Sequence, residues 1–194
     1  MRDTAIVFSR APRLGAVKRR LASAIGDRAA LRFHRATLLR LLRALAANRR
    51  FNTVLALTPD GARFVLPPRV IRIDQGKGDL GHRMHRALAR FPHGRAAIIG
   101  SDIPAAGSDD LAAAFRALGS AEAVFGPAED GGYWLIGLGP RRPARPFAAV
   151  RWSTAHALAD TLSNFRGRRV AMLRPLSDID SADEWASLPT LWRS

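Results

Sequence analysis

The amino-acid sequence predicts an α/β fold, a single domain over residues 1–194 in which a mostly parallel sheet is flanked by helices. Three observations predict it. Apolar runs alternate with stretches of helical period, and the runs are continuously apolar, as in strands covered on both faces. No repeat, long linker or low-complexity segment divides the chain. With 194 residues and 47% apolar content, the chain can bury one substantial core and is too apolar for disorder.

Thr4 to Phe8 reads as the first strand, Ser9 to Gly15 as a Pro/Gly-containing loop, and Val17, Leu21 and Ile25 recur at helical spacing. Gly26-Asp27 breaks that helix and caps a longer one, in which Leu31, Leu38, Leu41, Leu42 and Leu45 form a stripe opposite a face of Arg residues. Strands follow at Phe51 to Thr58 and, past a Pro-rich turn, at Val70 to Ile73. Asp74 to Gly81 is a Gly-rich loop, and Leu80 to Phe91 a helix N-capped by Asp79. Ala96 to Ile99 is a fully apolar strand that ends in Gly100-Ser101-Asp102-Ile103-Pro104. Asp109 to Leu118 reads as helix, Ala123 to Phe125 as strand, and Tyr133 to Leu138 as a strand entered through Glu129-Asp130-Gly131-Gly132. A helix near Thr154 to Phe165, a strand at Val170 to Leu173 and a helix from Ala182 to Leu188 complete the chain. In sheets of this kind ligands bind beyond the carboxyl ends of the strands, so the loops that follow strands are where chemistry is expected.

Composition excludes several classes. The absence of cysteine removes disulfide frameworks, thiolate zinc sites, iron-sulfur clusters and cysteine nucleophiles. Met1-Arg2-Asp3-Thr4 leads into an apolar segment far shorter than the roughly 20 residues of a membrane span, so a cytoplasmic protein without a membrane span is expected. The net charge of +15 is unevenly placed: Met1 to Ala97 holds 21 basic and 5 acidic residues, Ile98 to Ser194 holds 10 and 11. This asymmetry reflects either a compositional preference for Arg or attraction for an anionic ligand, a nucleotide or a polynucleotide. An aromatic content of 7% and the lack of a nucleic-acid-binding motif disfavour the polynucleotide.

Five loops carry the candidate chemistry. In Ser9 to Leu21, Gly15 permits close backbone approach, and Arg10, Arg13, Lys18 and Arg20 supply positive charge suited to a di- or triphosphate beside a helix start. The Walker A spacing is absent. Gly76-Lys77-Gly78-Asp79-Leu80-Gly81 matches Gly-x-Gly-x-x-Gly but follows the third strand, so a loop passing under a nucleotide base fits better than a dinucleotide fingerprint. Asp102, at the end of an apolar strand, is placed to reach a metal ion. Asp178-Ile179-Asp180 offers a second carboxylate, or a helix start, and magnesium needs only one or two carboxylates beside substrate phosphates. Asp130 stands in a hairpin-like Asp-Gly turn from which it can touch an acceptor. His82 and His85 read as surface residues, and Ser153 as a helix N-cap.

Taken in order, Pro12-x-x-Gly15-x-Val17-Lys18-x-Arg20-Leu21, Gly78-Asp79-Leu80-Gly81-x-Arg83-Met84, Gly100-Ser101-Asp102-x-Pro104, Gly126-Pro127-Ala128-x-Asp130-Gly131-Gly132-Tyr133, Trp152-Ser153-Thr154 and Asp178-x-Asp180 resemble the bacterial family called domain of unknown function 2064, of glycosyltransferase-A type. The resemblance implies the nucleotide-diphospho-sugar transferase fold. It also implies that the first loop cradles phosphates, that Gly78, Asp79 and Gly81 lie near the base, and that Asp102, with Asp180, holds Mg2+ or Mn2+. The implied activity is glycosyl transfer from a nucleotide sugar to a small-molecule acceptor, with Asp102 and Asp130 at the reaction centre. Two features favour an alternative. Ser101-Asp102-Ile103-Pro104 has one carboxylate where metal-dependent glycosyltransferases of this fold carry Asp-x-Asp, and the Pro12 to Leu21 loop and the segment around Asp180 are similar to those of phospholactate guanylyltransferases. Nucleotidylyl transfer from a nucleoside triphosphate to a phosphorylated small molecule is therefore the second expectation.

Overall fold

The computed structural model describes residues 2–189; Met1 and Thr190 to Ser194, the ends of the expected domain, lie outside the described residues. The chain runs β1 (Asp3–Arg10), α1 (Arg19–Ile25), α2 (Asp27–Ala47), β2 (Phe51–Thr58), β3 (Val70–Asp74), α3 (Leu80–Ala89), β4 (Ala96–Gly100), α4 (Ser108–Ala117), β5 (Ala123–Pro127), β6 (Tyr133–Leu138), α5 (Ala157–Ser163), β7 (Val170–Met172) and α6 (Ala182–Ala186). The strands form one sheet in the order β3-β2-β1-β4-β6-β5-β7. β6 alone among them runs antiparallel to its neighbours β4 and β5.

Continuous apolarity in the strands has the expected cause: adjacent residues enter two different cores. Ile6, Ile98 and Ile136 join Val54, Met84, Leu88, Phe125 and Phe165 on one face of the sheet. Val7, Ile99 and Leu135 join Leu38, Leu41, Leu42, Leu45, Leu111 and Phe115 on the other. A smaller cluster of Leu21, Phe33 and Ile179, with Ile25 and Trp185 against it, ties α1, α2 and α6 together. That cluster fixes where the loop before α6 meets the loop before α1.

Several boundaries differ from expectation. β1 extends through Ser9 and Arg10, because both continue the pairing with β2 as far as Arg10 opposite Thr58. α1 begins at Arg19, since Lys18 holds the left-handed conformation (φ 49, ψ 48) at its N-cap. α5 begins only at Ala157, with His156 as N-cap; Ser153, expected as a cap, has φ 59 and caps nothing. On α2, Leu31 is half-buried, and the buried stripe includes Phe33, His34 and Thr37. Asp79 caps α3 as expected, its carboxylate accepting from the His82 N–H at 2.8 Å. Among the described residues no helix is long and apolar enough to cross a membrane.

Candidate active site

β1 and β4 are parallel neighbours with Phe8 opposite Gly100, so Ser9-Arg10 and Ser101-Asp102 finish side by side at the carboxyl edge of the sheet. A polar network forms there. Ser101 Oγ lies 3.0 Å from Ser9 Oγ and 3.1 Å from Asp102 Oδ1. His34, buried on α2, places Nε2 3.1 Å from the Arg10 carbonyl. Its Nδ1 stands 3.2 Å from Asp102 Oδ1, close enough for charge to act yet too far off axis for a well-formed hydrogen bond.

Lys18 completes the arrangement. Its ammonium lies 2.8 Å from Asp180 Oδ1 and 3.3 Å from Asp102 Oδ2, on a side chain only 3% exposed. The two carboxylates keep 41% and 42% exposure on the open side. Burial works against the ionised form of each group, and the opposite charges outweigh it. Contact with His34 and the charge of Lys18 hold the Asp102 carboxyl well below the usual range, and Asp102 and Asp180 hold Lys18 above its ordinary value. Asp180 is free for this pairing because α6 is capped by its neighbours: Glu184 Oε2 accepts from the N–H groups of Asp180 and Ser181, and Ser181 Oγ accepts from Glu184 N–H.

These groups lie at the middle of one cleft with two chambers. The basic chamber, about 490 Å³, is lined by Arg10, Lys18, Arg19, Arg20 and Arg83. The acidic chamber, about 550 Å³, is lined by Asp102, Asp130, Asp178 and Asp180 with Tyr133, Trp134 and Trp152. Phe8, Arg10, Leu80, Asp102, Ser153 and Asp180 belong to both. Each chamber is of a size that holds a small-molecule ligand. In the acidic one, burial first, then Asp180 and Asp130, push the Asp178 carboxyl up to about 6. Asp130, which lines the chamber, accepts from Gly132 N–H through Oδ1 at 2.9 Å within its turn.

Of the residues singled out in the sequence, Arg10, Lys18, Arg20, Asp102, Asp130 and Asp180 are brought together. Arg13, Gly15, Gly78, Asp79 and Gly81 do not line these two chambers; Asp79 and Gly81 instead line a neighbouring pocket with Phe147 and Trp152. The Arg13 carbonyl closes a turn onto Ala16 N–H, and both the Arg13 side chain and Gly15 face solvent. The Asp79 carboxylate is engaged by the His82 backbone and ring, which lower its pKa in that order. Gly81 is required for packing: a Cβ there would meet Trp152 Cζ2 at 2.8 Å and Phe147 Cβ at 2.9 Å. The first turn of α3 contributes Leu80 and Arg83 to the cleft. His82 and His85 are exposed, as expected. The sequence reading missed His34, whose signal was its place four residues before Leu38 on the buried stripe.

A divalent cation fits the donor set. Two carboxylates already converge on one cation, the Lys18 ammonium, and two is a number that magnesium ordinarily takes from protein when phosphates complete its shell. Among the described residues no three His, Cys, Asp or Glu side chains form a closed metal cage.

Residues 41–154 match the family described as an uncharacterized protein conserved in bacteria, DUF2064. The chain belongs to this family. Among solved structures, it is similar to a candidate nucleotide-diphospho-sugar transferase from Desulfovibrio desulfuricans G20, with 29% identity over 93% of this chain and 84% of the other and a TM-score of 0.85. The manganese complex of Rv0371C from Mycobacterium tuberculosis H37Rv shares the fold at 17% identity, 96% coverage of each chain and a TM-score of 0.55. So does the inositol-1-phosphate CTP transferase from T. maritima, at 14% identity, 99% and 94% coverage and a TM-score of 0.57. No curated protein matches the chain in sequence. The DUF2064 chain thus has the single-domain α/β architecture of the nucleotide-diphospho-sugar transferases.

Proposed function

We propose that this DUF2064 protein is a metal-assisted glycosyltransferase that moves a sugar from a nucleoside-diphosphate donor to a hydroxyl of a small molecule lacking phosphate. The observation that carries the reading is the division of charge in the cleft. Lys18, Arg19, Arg20 and Arg83 line only one chamber and Asp130 and Asp178 only the other, while Arg10, Asp102 and Asp180 stand at the junction and line both. A diphosphate is favoured among the cations, whereas a phosphorylated acceptor in the second chamber would face four carboxylates against the single guanidinium of Arg10. The likeness to a candidate nucleotide-diphospho-sugar transferase supports the donor class.

In this reading Arg10, Lys18 and Arg20 bind the donor's phosphate oxygens. Asp102 and Asp180 would hold Mg2+ or Mn2+, which supplies neutralisation of charge on the departing diphosphate. The acceptor oxygen forms a bond to the sugar's anomeric carbon as the bond from that carbon to the diphosphate oxygen breaks. The nucleoside diphosphate leaves with the bonding electrons, and the hydroxyl proton passes to the Asp130 carboxylate. Tyr133 and Trp152 offer an apolar wall to the acceptor. Their phenol and indole surfaces suit the C–H face of a carbohydrate or another hydroxylated ring.

The second reading, nucleotidylyl transfer to a phosphorylated acceptor, is supported by the Pro12 to Leu21 loop and by the fold shared with a CTP transferase. Product identity separates the two. Thermal unfolding against nucleoside di- and triphosphates and nucleotide sugars, with and without manganese, is expected to give a metal-dependent stabilisation. Saturation at a hundredfold excess over Kd corresponds to about 2.7 kcal/mol. Turnover of the stabilising nucleotide sugar with a panel of hydroxylated acceptors is expected to release nucleoside diphosphate. Pyrophosphate released from a triphosphate would move the assignment to nucleotidylyl transfer, and the absence of any stabilisation would defeat both.

A further inference from the structure

Resting on the donor site proposed above, we infer that Arg83 is a further ligand of the donor's diphosphate and that Gln75 is the residue that positions it.

Gln75 follows β3 and is 3% exposed. Its Nε2 donates to the Ser9 carbonyl at 3.1 Å and to the Ala56 carbonyl at 2.9 Å, at the carboxyl ends of β1 and β2. Both partners can only accept, so the amide has a single satisfied orientation, with Oε1 turned away from the strands. Oε1 accepts from Arg83 Nη1 at 3.1 Å, and the Asp79 carbonyl accepts from Arg83 Nε at 3.3 Å. Two neutral oxygens thereby hold the guanidinium while its charge stays uncompensated.

Arg142 is likewise held by neutral oxygens, the carbonyls of Leu88, Phe91, Gly94 and Gly139, but lies outside the cleft. Arg72, Arg95, Arg151, Arg168 and Arg174 each meet a carboxylate. Arg86, one turn further along α3, is engaged by the Gln75 and Lys77 carbonyls and stays outside the cleft. Arg83 is half-buried, has no acidic partner among the described residues, and lines the basic chamber with Lys18 and Arg20. A guanidinium carries five N–H donors, and those not used by Gln75 and Asp79 remain for a ligand. Holding the long side chain in place beforehand lowers the entropy lost when the ligand binds. An anion is the ligand chemistry that fits: Arg10, Arg19 and Arg20 are exposed around the same chamber, and a planar fork matches two phosphate oxygens.

The test compares the parent with Arg83→Ala, Arg83→Lys and Gln75→Leu by calorimetric titration. The probes are the nucleoside diphosphate that most stabilises the parent, its phosphate-free nucleoside, and inorganic pyrophosphate. Arg83→Ala is expected to weaken nucleoside diphosphate and pyrophosphate 10- to 100-fold and leave the nucleoside unchanged, with unliganded melting unaltered because the side chain is half-exposed. Arg83→Lys keeps the charge without the fork and recovers part of the loss. Gln75→Leu is expected to weaken diphosphate 3- to 10-fold in the parent background and to add nothing in the Arg83→Ala background, which a merely structural glutamine would not do. Diphosphate affinity unchanged in Arg83→Ala, or a loss shared equally by the nucleoside, overturns the inference while leaving the donor site standing. A parent that binds none of the three probes overturns both.

Discussion

The two chambers of the cleft differ in origin as well as in charge. The cations of the basic chamber come from the amino-terminal half of the chain, which holds 21 basic and 5 acidic residues. The carboxylates of the acidic chamber come from the other half, with 10 and 11. The compositional asymmetry is thus partly a map of the site. The chambers are also built differently. A turn with open space around Gly15 leads into the basic one, whereas the acidic one is bounded by a packed hairpin, with Gly126 beneath Trp134 and Gly131 against the Ala155 backbone. A phosphate end needs charge more than shape, because Coulombic attraction tolerates displacement. An acceptor end needs a defined wall, because reacting atoms must be held within a few tenths of an ångström.

The junction between them is where the largest effect is expected. Asp102→Ala removes the carboxylate that faces both Lys18 and His34. Turnover is expected to fall by a factor on the order of 100 to 1,000, the scale of losing a preorganised electrostatic partner at a reacting centre. Stability is expected to drop by about 2 kcal/mol; breaking a fully buried pair costs more, and Asp102 is partly solvated while Asp180 still serves Lys18. Steady-state rates and urea midpoints measure the two effects separately. An alanine variant with parental turnover would take the chemistry away from the junction.

The packed end and the open end are next distinguished by two glycines. Gly131 has φ +83, and a Cβ there would stand 2.2 Å from the Ala155 carbonyl oxygen, a backbone atom with nowhere to move. Gly131→Ala is expected to cost about 3 kcal/mol or more, from overpacking added to an unfavourable backbone conformation. Gly15 has φ +71 and nothing nearer than Asp27 Oδ2 at 3.9 Å, so Gly15→Ala carries only the conformational penalty of about 1 kcal/mol. Equal losses in chemical denaturation would remove the distinction between the packed hairpin and the open turn.

Much of this was legible in the sequence, for identifiable reasons. Strands buried on both faces are continuously apolar, so the sheet could be read directly, and the positions after strands located Asp102 and Asp180. Strand direction is not written in hydrophobicity, and the antiparallel placement of β6 emerged only in three dimensions. The pairing of Lys18 with Asp180 spans 162 residues and depends on the Leu21, Phe33 and Ile179 cluster, which no local pattern announces. The Gly78 to Gly81 loop was harder to read because glycine serves close packing as readily as ligand approach: Gly81 makes room for Trp152. His34 was hidden on an apolar helix stripe, where a polar residue stands out only once its partners are known.

The smallest expected effect has the opposite sign. Burial, Asp180 and Asp130 push the Asp178 carboxyl up to about 6, whereas in the unfolded chain it titrates near the ordinary aspartate value of about 3.9. The folded protein therefore binds that proton more tightly than the unfolded chain does, and the associated stability is present below about pH 4 and lost as pH rises to about 6. At neutral pH the ionised side chain costs the fold about 1 kcal/mol once solvent screening of a half-buried group is allowed for. Asp178→Asn is expected to recover that amount at pH 7.5 and nothing at pH 3.5, as read from urea midpoints at the two pH values. Manganese sharpens the comparison: a cation at Asp102 and Asp180 would offset the repulsion on Asp178, so the gap between parent and variant at pH 7.5 is expected to narrow when manganese is added. A variant no more stable than the parent at pH 7.5 would mean that the carboxylates of the acidic chamber are solvated well enough not to oppose one another, and the charge argument against a phosphorylated acceptor would weaken with it.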